Sequence, residues 1–170
     1  MTEEQPDRTD PAELAAVARA IIDANVYMTL GTADAAGRPW ASPVFYAARD
    51  YREFYWMSSP EATQCRNIAE RPEISIVVFD SRIPVGSGQA VYMSAVAGQV
   101  PDDEIDRVLE VYPGPADRGA RISPDQVRPP GRYRLYRATV AQHSVLCPLS
   151  AARPCPEHGR VSDHRTIVTL

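Results

Sequence analysis

The sequence predicts a mainly β protein, a closed barrel carrying a few helices. Three observations point there. Five or six runs alternate or concentrate apolar, β-branched and aromatic residues, each run bounded by a short turn signal. Helical periodicity is confined to a few short segments. No composition shift or internal repeat divides the 170 residues, which suit one domain large enough to bury a core. Closing such a sheet also hides its edges.

The elements follow in order. Residues 1–9 are a polar lead expected to be disordered, residues 10–147 the domain, and 148–170 a C-terminal tail, irregular as far as "RTIVTL". Asp10 caps a helix with Pro11 first and Glu13 completing a capping box. Leu14, Val17, Ala18, Ile21 and Ile22 form its apolar stripe. "VYMTLGTAD" is a strand, "AAGR" a turn and "PWASPVFYAA" the hairpin partner. "FYWMS" is the next strand. Ser59, as N-cap, and Pro60 then open a helix over 60–70, because serine followed by proline is a strong start signal. "EISIVVFD" and "QAVYMSAVAGQV" are strands on either side of the loop "SRIPVGSG". A short helix runs from Asp102 or Asp103 to about Tyr112. A Pro/Gly-rich excursion follows, with one helical turn after Ser123-Pro124, and "RYRLYRATVAQHSVLC" is the last long strand.

Composition narrows the function. A net charge of −4 argues against a dedicated nucleic-acid binder or a binder of anionic membranes. No apolar run reaches the roughly 18 residues of a membrane span, and the polar N-terminus has no signal-peptide pattern. A cytoplasmic protein is expected, and three cysteines give no disulfide framework. The sequence contains no lysine, which removes a lysine Schiff base and the phosphate-loop lysine.

Taken in order, "MTLGTADAAGRPWASPVFYA", "FYWMSSPEATQCRNIAERPEISIVVF" and "GQAVYMSAV" resemble the flavin-binding split-barrel superfamily, whose namesake is pyridoxamine 5′-phosphate oxidase. The resemblance covers roughly residues 12–100. It implies a split β-barrel of FMN-binding type, assembled as a homodimer with the cofactor at the interface. It implies that Ser42, Pro43 and Val44 face the flavin ring, that Met57, Ser58 and Ser59 follow the ring and ribityl chain, and that Gln89 reaches the flavin. The phosphate would go to the start of the helix after Ser59, at the backbone N–H groups of Glu61, Ala62 and Thr63, with Thr63, Gln64 and Arg66 beside it. Such a helix start suits an anion.

The departures matter too. Where phosphate-gripping members carry a Ser-Arg-Lys-like triplet, this chain has Ala62-Thr63-Gln64, and the oxidase's Arg and Lys on the second strand align with Ser42 and Ala47. A true pyridoxamine phosphate oxidase is therefore not expected. The resemblance implies an FMN-dependent oxidoreductase acting on a small organic substrate. A deazaflavin coenzyme is the other cofactor that relatives use, and a non-catalytic flavin- or small-ligand-binding module with a weakened site is the alternative. No histidine or carboxylate in the matched region is placed as an acid or base, so catalytic residues stay unassigned.

The remaining candidates read blandly. Cys65 is expected as a small buried hydrophobe, and Trp40 and Trp56 as core aromatics rather than ring contacts. Arg132 and Arg134 alternate on the face of Tyr136, expected as a solvated or dimer-facing edge with an anion clamp as the lesser reading. The tail collects Cys147, Cys155, His158 and His164, but Cys-x7-Cys-x2-His-x5-His matches no tight zinc knuckle, and no metal is expected.

Overall fold

The computed structural model describes residues 10–84, 89–115, 121–147, 155, 158–162 and 164–170. The predicted N-terminal lead and most of residues 148–157 lie outside these. Strands β1 (Tyr27–Ala33), β2 (Pro39–Phe45), β3 (Ala47–Arg49), β4 (Glu53–Ser58), β5 (Glu73–Phe79), β6 (Ala90–Gln99), β7 (Arg134–Leu146) and β8 (Arg165–Val168) form one antiparallel sheet. Its order is β2-β1-β5-β6-β7-β4-β3, with β8 also on β7. The sheet curls into a split barrel: β2 and β3 end the order and do not pair with each other.

Helix α1 (Pro11–Ala24) is capped as the sequence predicts, with Asp10 Oδ1 accepting from the Ala12 amide at 2.9 Å. Its buried stripe is Leu14, Ala15, Ala18 and Ile22, while Val17 faces out at 38 % exposure. It lies over β5 to β8. Helix α2 (Thr63–Glu70) packs on β1, β2 and β6, and the short α3 (Ile105–Leu109) and α4 (Pro124–Val127) lie beyond. The helical turn predicted after Ser123-Pro124 is α4, and it opens on a capping box in which Gln126 Oε1 accepts from the Ser123 amide at 2.8 Å.

One correction concerns a strand. The predicted partner "PWASPVFYAA" divides at Tyr46, whose amide bonds Val26 and whose ring is buried, so the chain leaves β1 and joins β4 as β3. Within "RTIVTL", where the expected irregularity ends, Thr166 and Val168 point inward while Arg165 and Ile167 point out, and this alternation makes β8.

The consecutive Phe54, Tyr55 and Trp56 are all fully buried because β4 and β7 have a core on each face. Phe54, Trp56, Tyr136 and Ala138 join the barrel interior with Leu30, Ile76 and Val91. Tyr55 and Leu135 join a second cluster with Ile105, Val108, Tyr112 and Val127 beneath α3 and α4. Helices α3 and α4 thus cover the back of the sheet.

Tyr46 also ties α1 to the barrel, its hydroxyl donating to the Ile22 carbonyl at 2.6 Å in the last turn of the helix. Tyr46→Phe strands that carbonyl, and urea unfolding should show stability lower by ~1–3 kcal/mol. An unchanged midpoint would show that the bond does not hold the helix in place.

Candidate functional site

At the mouth of the barrel, where β2 and β4 approach α2, four polar side chains form a continuous chain. Trp40 Nε1 donates to Ser42 Oγ at 2.9 Å, and Ser42 Oγ donates to Gln64 Oε1 at 3.1 Å. Gln64 Nε2 then donates to Ser58 Oγ at 3.0 Å. Both ends of the Gln64 amide are used, so this side chain bridges two strands from the first turn of the helix. Ser58 accepts in this chain, so its hydroxyl can still donate to another group.

Strand alternation explains which predicted residues reach this point. Ser42 and Val44 point inward from β2, and Val44 continues into the barrel core, while Pro43 is exposed on the other face. Ser58 shares a face with Trp56; Met57 points the opposite way and packs on the second cluster. Side chains from Ser42, Ser58 and Gln64 therefore meet, and those of Pro43, Val44 and Met57 do not join them.

The helix start differs from the expectation. Ser59 is not the N-cap. Its Oγ accepts from the Glu61 amide at 3.2 Å and its carbonyl from the Ala62 amide at 3.0 Å, closing a turn with Pro60 at the second position, where proline is favoured. The N-cap is Ala62, which offers no side-chain cap. The amides of Glu61 and Ala62 are thus spent within the turn, whereas those of Thr63 and Gln64 have no partner among the described residues. Of the predicted donors Thr63 stays open, and Gln64 joins it in place of Glu61 and Ala62.

Two arginines supply charge. Arg66 folds back so that Nη1 donates to the Glu61 carbonyl at 2.5 Å, which brings its guanidinium to the turn before α2. Arg134 stands directly opposite Ser58 in the β4–β7 register. Such pairs share a face, with Cβ atoms about 4.5–5.5 Å apart. Its Nη1 bonds the Gly131 carbonyl at 2.7 Å, which holds the side chain at this end of the strand. Arg134 is paired on one side only, with β4, because the β6 ladder on the other side of β7 begins at Tyr136. Arg132 precedes the strand and is exposed.

Beneath the site, Asn67 is buried, with Nδ2 donating to Thr32 Oγ1 at 3.0 Å. Cys65 is buried as expected. Burial, and then a hydrogen bond with Cys65, push the Tyr136 hydroxyl well above its ordinary range, so it stays protonated. Trp56 stacks on Tyr136 with ring centroids 5.6 Å apart, in the core as expected; Trp40, by contrast, is 48 % exposed and overhangs the polar chain.

Gln89 is elsewhere. Its Nε2 donates to the Leu146 carbonyl at 3.1 Å, and its buried Oε1 has no partner among the described residues. Leu146 and Arg134 are the two ends of the 13-residue β7, on the order of 40 Å of extended strand. One chain does not bring Gln89 to the Ser42–Gln64–Ser58 group. Between them the outer sheet face forms a concavity of about 350 Å³, lined by Ser75, Tyr92, Ser94, Gln142, Ser144 and Arg165 among others. There the Arg165 guanidinium lies 3.6 Å from the Tyr92 ring centroid.

A family model described as pyridoxamine 5′-phosphate oxidase matches residues 14–147. The chain belongs to that family. Solved structures of the same fold include the heme storage protein HutZ of Vibrio cholerae, 22 % identical over 76 % of this chain and 91 % of that one, with a TM-score of 0.59. A FAD-binding protein of Mesorhizobium loti is 19 % identical over 75 % and 87 % of the two chains, with a TM-score of 0.57. An F420 reductase is 15 % identical over 74 % and 94 %, with a TM-score of 0.52. Identities this low carry the fold alone. No curated protein matches the chain in sequence. Among the described residues no helix is long and apolar enough to cross a membrane.

The Gln64 bridge yields a direct test. Gln64→Leu keeps the volume and loses both hydrogen bonds, each worth ~0.5–1.5 kcal/mol. Denaturant unfolding should show a loss of ~1–3 kcal/mol. Stability equal to the parent would mean the chain from Trp40 to Ser58 contributes nothing to the barrel mouth.

Proposed function

We propose that this family member is an FMN-binding oxidoreductase that holds its cofactor between two copies of the chain and acts on a small organic substrate. The observation that carries the proposal is the group of outward donors at the start of α2: the Thr63 and Gln64 amides, the Ser58 hydroxyl, and the Arg134 and Arg66 side chains. They fit a phosphate-bearing ligand, because open helix N–H groups with nearby guanidinium groups favour an anion. The unpartnered Gln89 Oε1 fits a hydrogen-bond donor brought by a ligand or a second copy. Since Gln89 and Ser58 belong to opposite ends of β7, a cofactor touched by both takes one from each copy.

When bound, the flavin supplies hydride or electron transfer. The chain's part in this reading is to hold and orient. Arg134, Ser58 and the α2 amides take the phosphate end, and Trp40 covers the opening. Ser42 and Gln64, which bond each other, keep Ser58 in place. A pyridoxamine phosphate oxidase is not proposed, because Ser42 and Ala47 replace the basic residues of the second strand and the described residues around the site offer no set of cations for another phosphate. The reading places the protein in the cytoplasm.

A second reading, a binding module without catalysis or a deazaflavin reductase, draws on the neutral triplet Ala62-Thr63-Gln64 and on a fold shared with a heme storage protein and an F420 reductase. Mass spectrometry of the cofactor released from the native protein, followed by its reduction and reoxidation on the protein, separates these cases.

Titration with FMN and with riboflavin, which lacks the phosphate, tests the site. Arg134→Gln removes a charged donor worth ~1.5–3 kcal/mol, so FMN should bind about 10- to 150-fold more weakly, and riboflavin should change little. Added salt should narrow the difference between the ligands. Equal losses for both ligands would place Arg134 away from the phosphate. Failure of the parent protein to bind either would overturn the flavin reading.

A further inference from the structure

At the far end of β7, four side chains that the cofactor reading does not use converge on one point. They are Cys147, Cys155, His158 and His164, whose Sγ and ring-nitrogen atoms all lie within 4.8 Å of one another. The two sulfurs are 3.1 Å apart. His158 Nδ1 lies 3.9 Å from Cys147 Sγ, 3.5 Å from Cys155 Sγ and 3.1 Å from His164 Nε2. A tetrahedral zinc with ordinary bond lengths sets sulfur–sulfur, sulfur–nitrogen and nitrogen–nitrogen edges of about 3.8, 3.6 and 3.3 Å. The two sulfur–nitrogen distances and the nitrogen–nitrogen distance fall within about 0.3 Å of these edges, and the two sulfurs would move apart by about 0.7 Å to seat the ion.

Hydrogen bonding does not explain the cluster. A ring nitrogen carries one in-plane hydrogen or one lone pair, yet three groups crowd His158 Nδ1. His164 is set up independently. Its Nδ1 faces the Ser162 carbonyl at 2.8 Å, and a carbonyl only accepts, so Nδ1 carries the proton and Nε2 turns a lone pair on the cluster. Metal-bound histidines are oriented by this kind of backbone contact.

The backbone delivers the four groups from two directions. The β7–β8 ladder ends at Leu146 opposite Arg165, and the next residues continue it, with the Cys147 amide bonding the His164 carbonyl at 2.9 Å. Cys155 and His158 come from a tight turn in which the Cys155 amide bonds the Arg160 carbonyl at 2.7 Å and the Gly159 amide bonds the Cys155 carbonyl at 2.7 Å. Gly159 has φ of +63°, which a side chain would resist. Both thiols are buried, and His158 is at the surface.

We propose that Cys147, Cys155, His158 and His164 form a closed Cys2His2 zinc site that pins β8 and the 155–160 turn to the end of β7. Four protein ligands leave no open position, so the site is structural. Soft thiolates with imidazole in a tetrahedral set select zinc over magnesium or calcium. This reverses the expectation of a metal-free tail. The Cys-x7-Cys-x2-His-x5-His spacing matches no tight knuckle because the first and last ligands meet through strand pairing.

The full chain, purified from zinc-supplied cells under reducing conditions without chelator, tests the proposal by native mass spectrometry and elemental analysis. About one zinc per chain is expected, and Cys155→Ser and His164→Ala should each lower its retention by about tenfold or more against a competing chelator. Cobalt exchange into the unmutated protein gives a readout independent of variant folding: intense visible bands of a tetrahedral cobalt–thiolate site are expected. Only trace zinc with no such bands overturns the proposal. So does a Cys147–Cys155 disulfide in that protein by peptide mapping. Neither readout involves flavin, so this inference and the flavin reading fail separately.

Discussion

The two-sided pairing of β7 is the constraint on which the rest of the structure depends. Thirteen residues long, it pairs with β6 along most of its length, while its other side takes β4 first and β8 second. One bulge, at Ala141 of β7 opposite Ser94 and Ala95 of β6, bends this pair and sharpens the curl of the half-barrel. Both faces of its first half are buried, Tyr136 and Ala138 in the barrel and Leu135 under α3 and α4. Burying a residue of this size stabilises by roughly 1.5–3 kcal/mol, so this one strand carries a large share of the core that joins the two halves.

The same strand separates the molecule's chemistry. Its first residue, Arg134, stands across from Ser58 and adds a second guanidinium to that of Arg66 near the start of α2. Its last, Leu146, receives Gln89 and leads into Cys147 and the Cys/His cluster. In the proposed reading a cofactor site with features from both ends belongs to two chains, whereas the Cys/His cluster lies within one. The first is open, polar and made of exchangeable donors. The second, the cluster on Cys147 and His164, closes a short strand onto the barrel.

Much of this was legible in the chain, and the losses have physical causes. The alternation of β5 to β7 and the Asp10-Pro11 cap are local signals, and they name their elements correctly. Ser59-Pro60 is a local signal too, but it fits a proline turn as well as a helix start, and tertiary contact decided. Gln64 sits against Ser42 and Ser58, which fixes where α2 begins. Ser42, Ser58 and Gln64 could be singled out as residues by resemblance, whereas their hydrogen bonds join positions 22 and 6 residues apart that only the curl brings together. Arg134 could be assigned to a face, whereas alternation is silent about which residue stands across from it. The four Cys/His residues could be named from the sequence, but their convergence depends on a four-residue strand pairing that spacing does not report.

The central claim is that a flavin is held jointly by two copies, with Ser58 and Arg134 from one and Gln89 from the other. Native mass spectrometry of the protein as purified addresses it most directly. The account predicts a species of about twice the 18.7 kDa chain mass that carries flavin and loses it as the two chains part. A single chain that keeps its flavin through the measurement would contradict it.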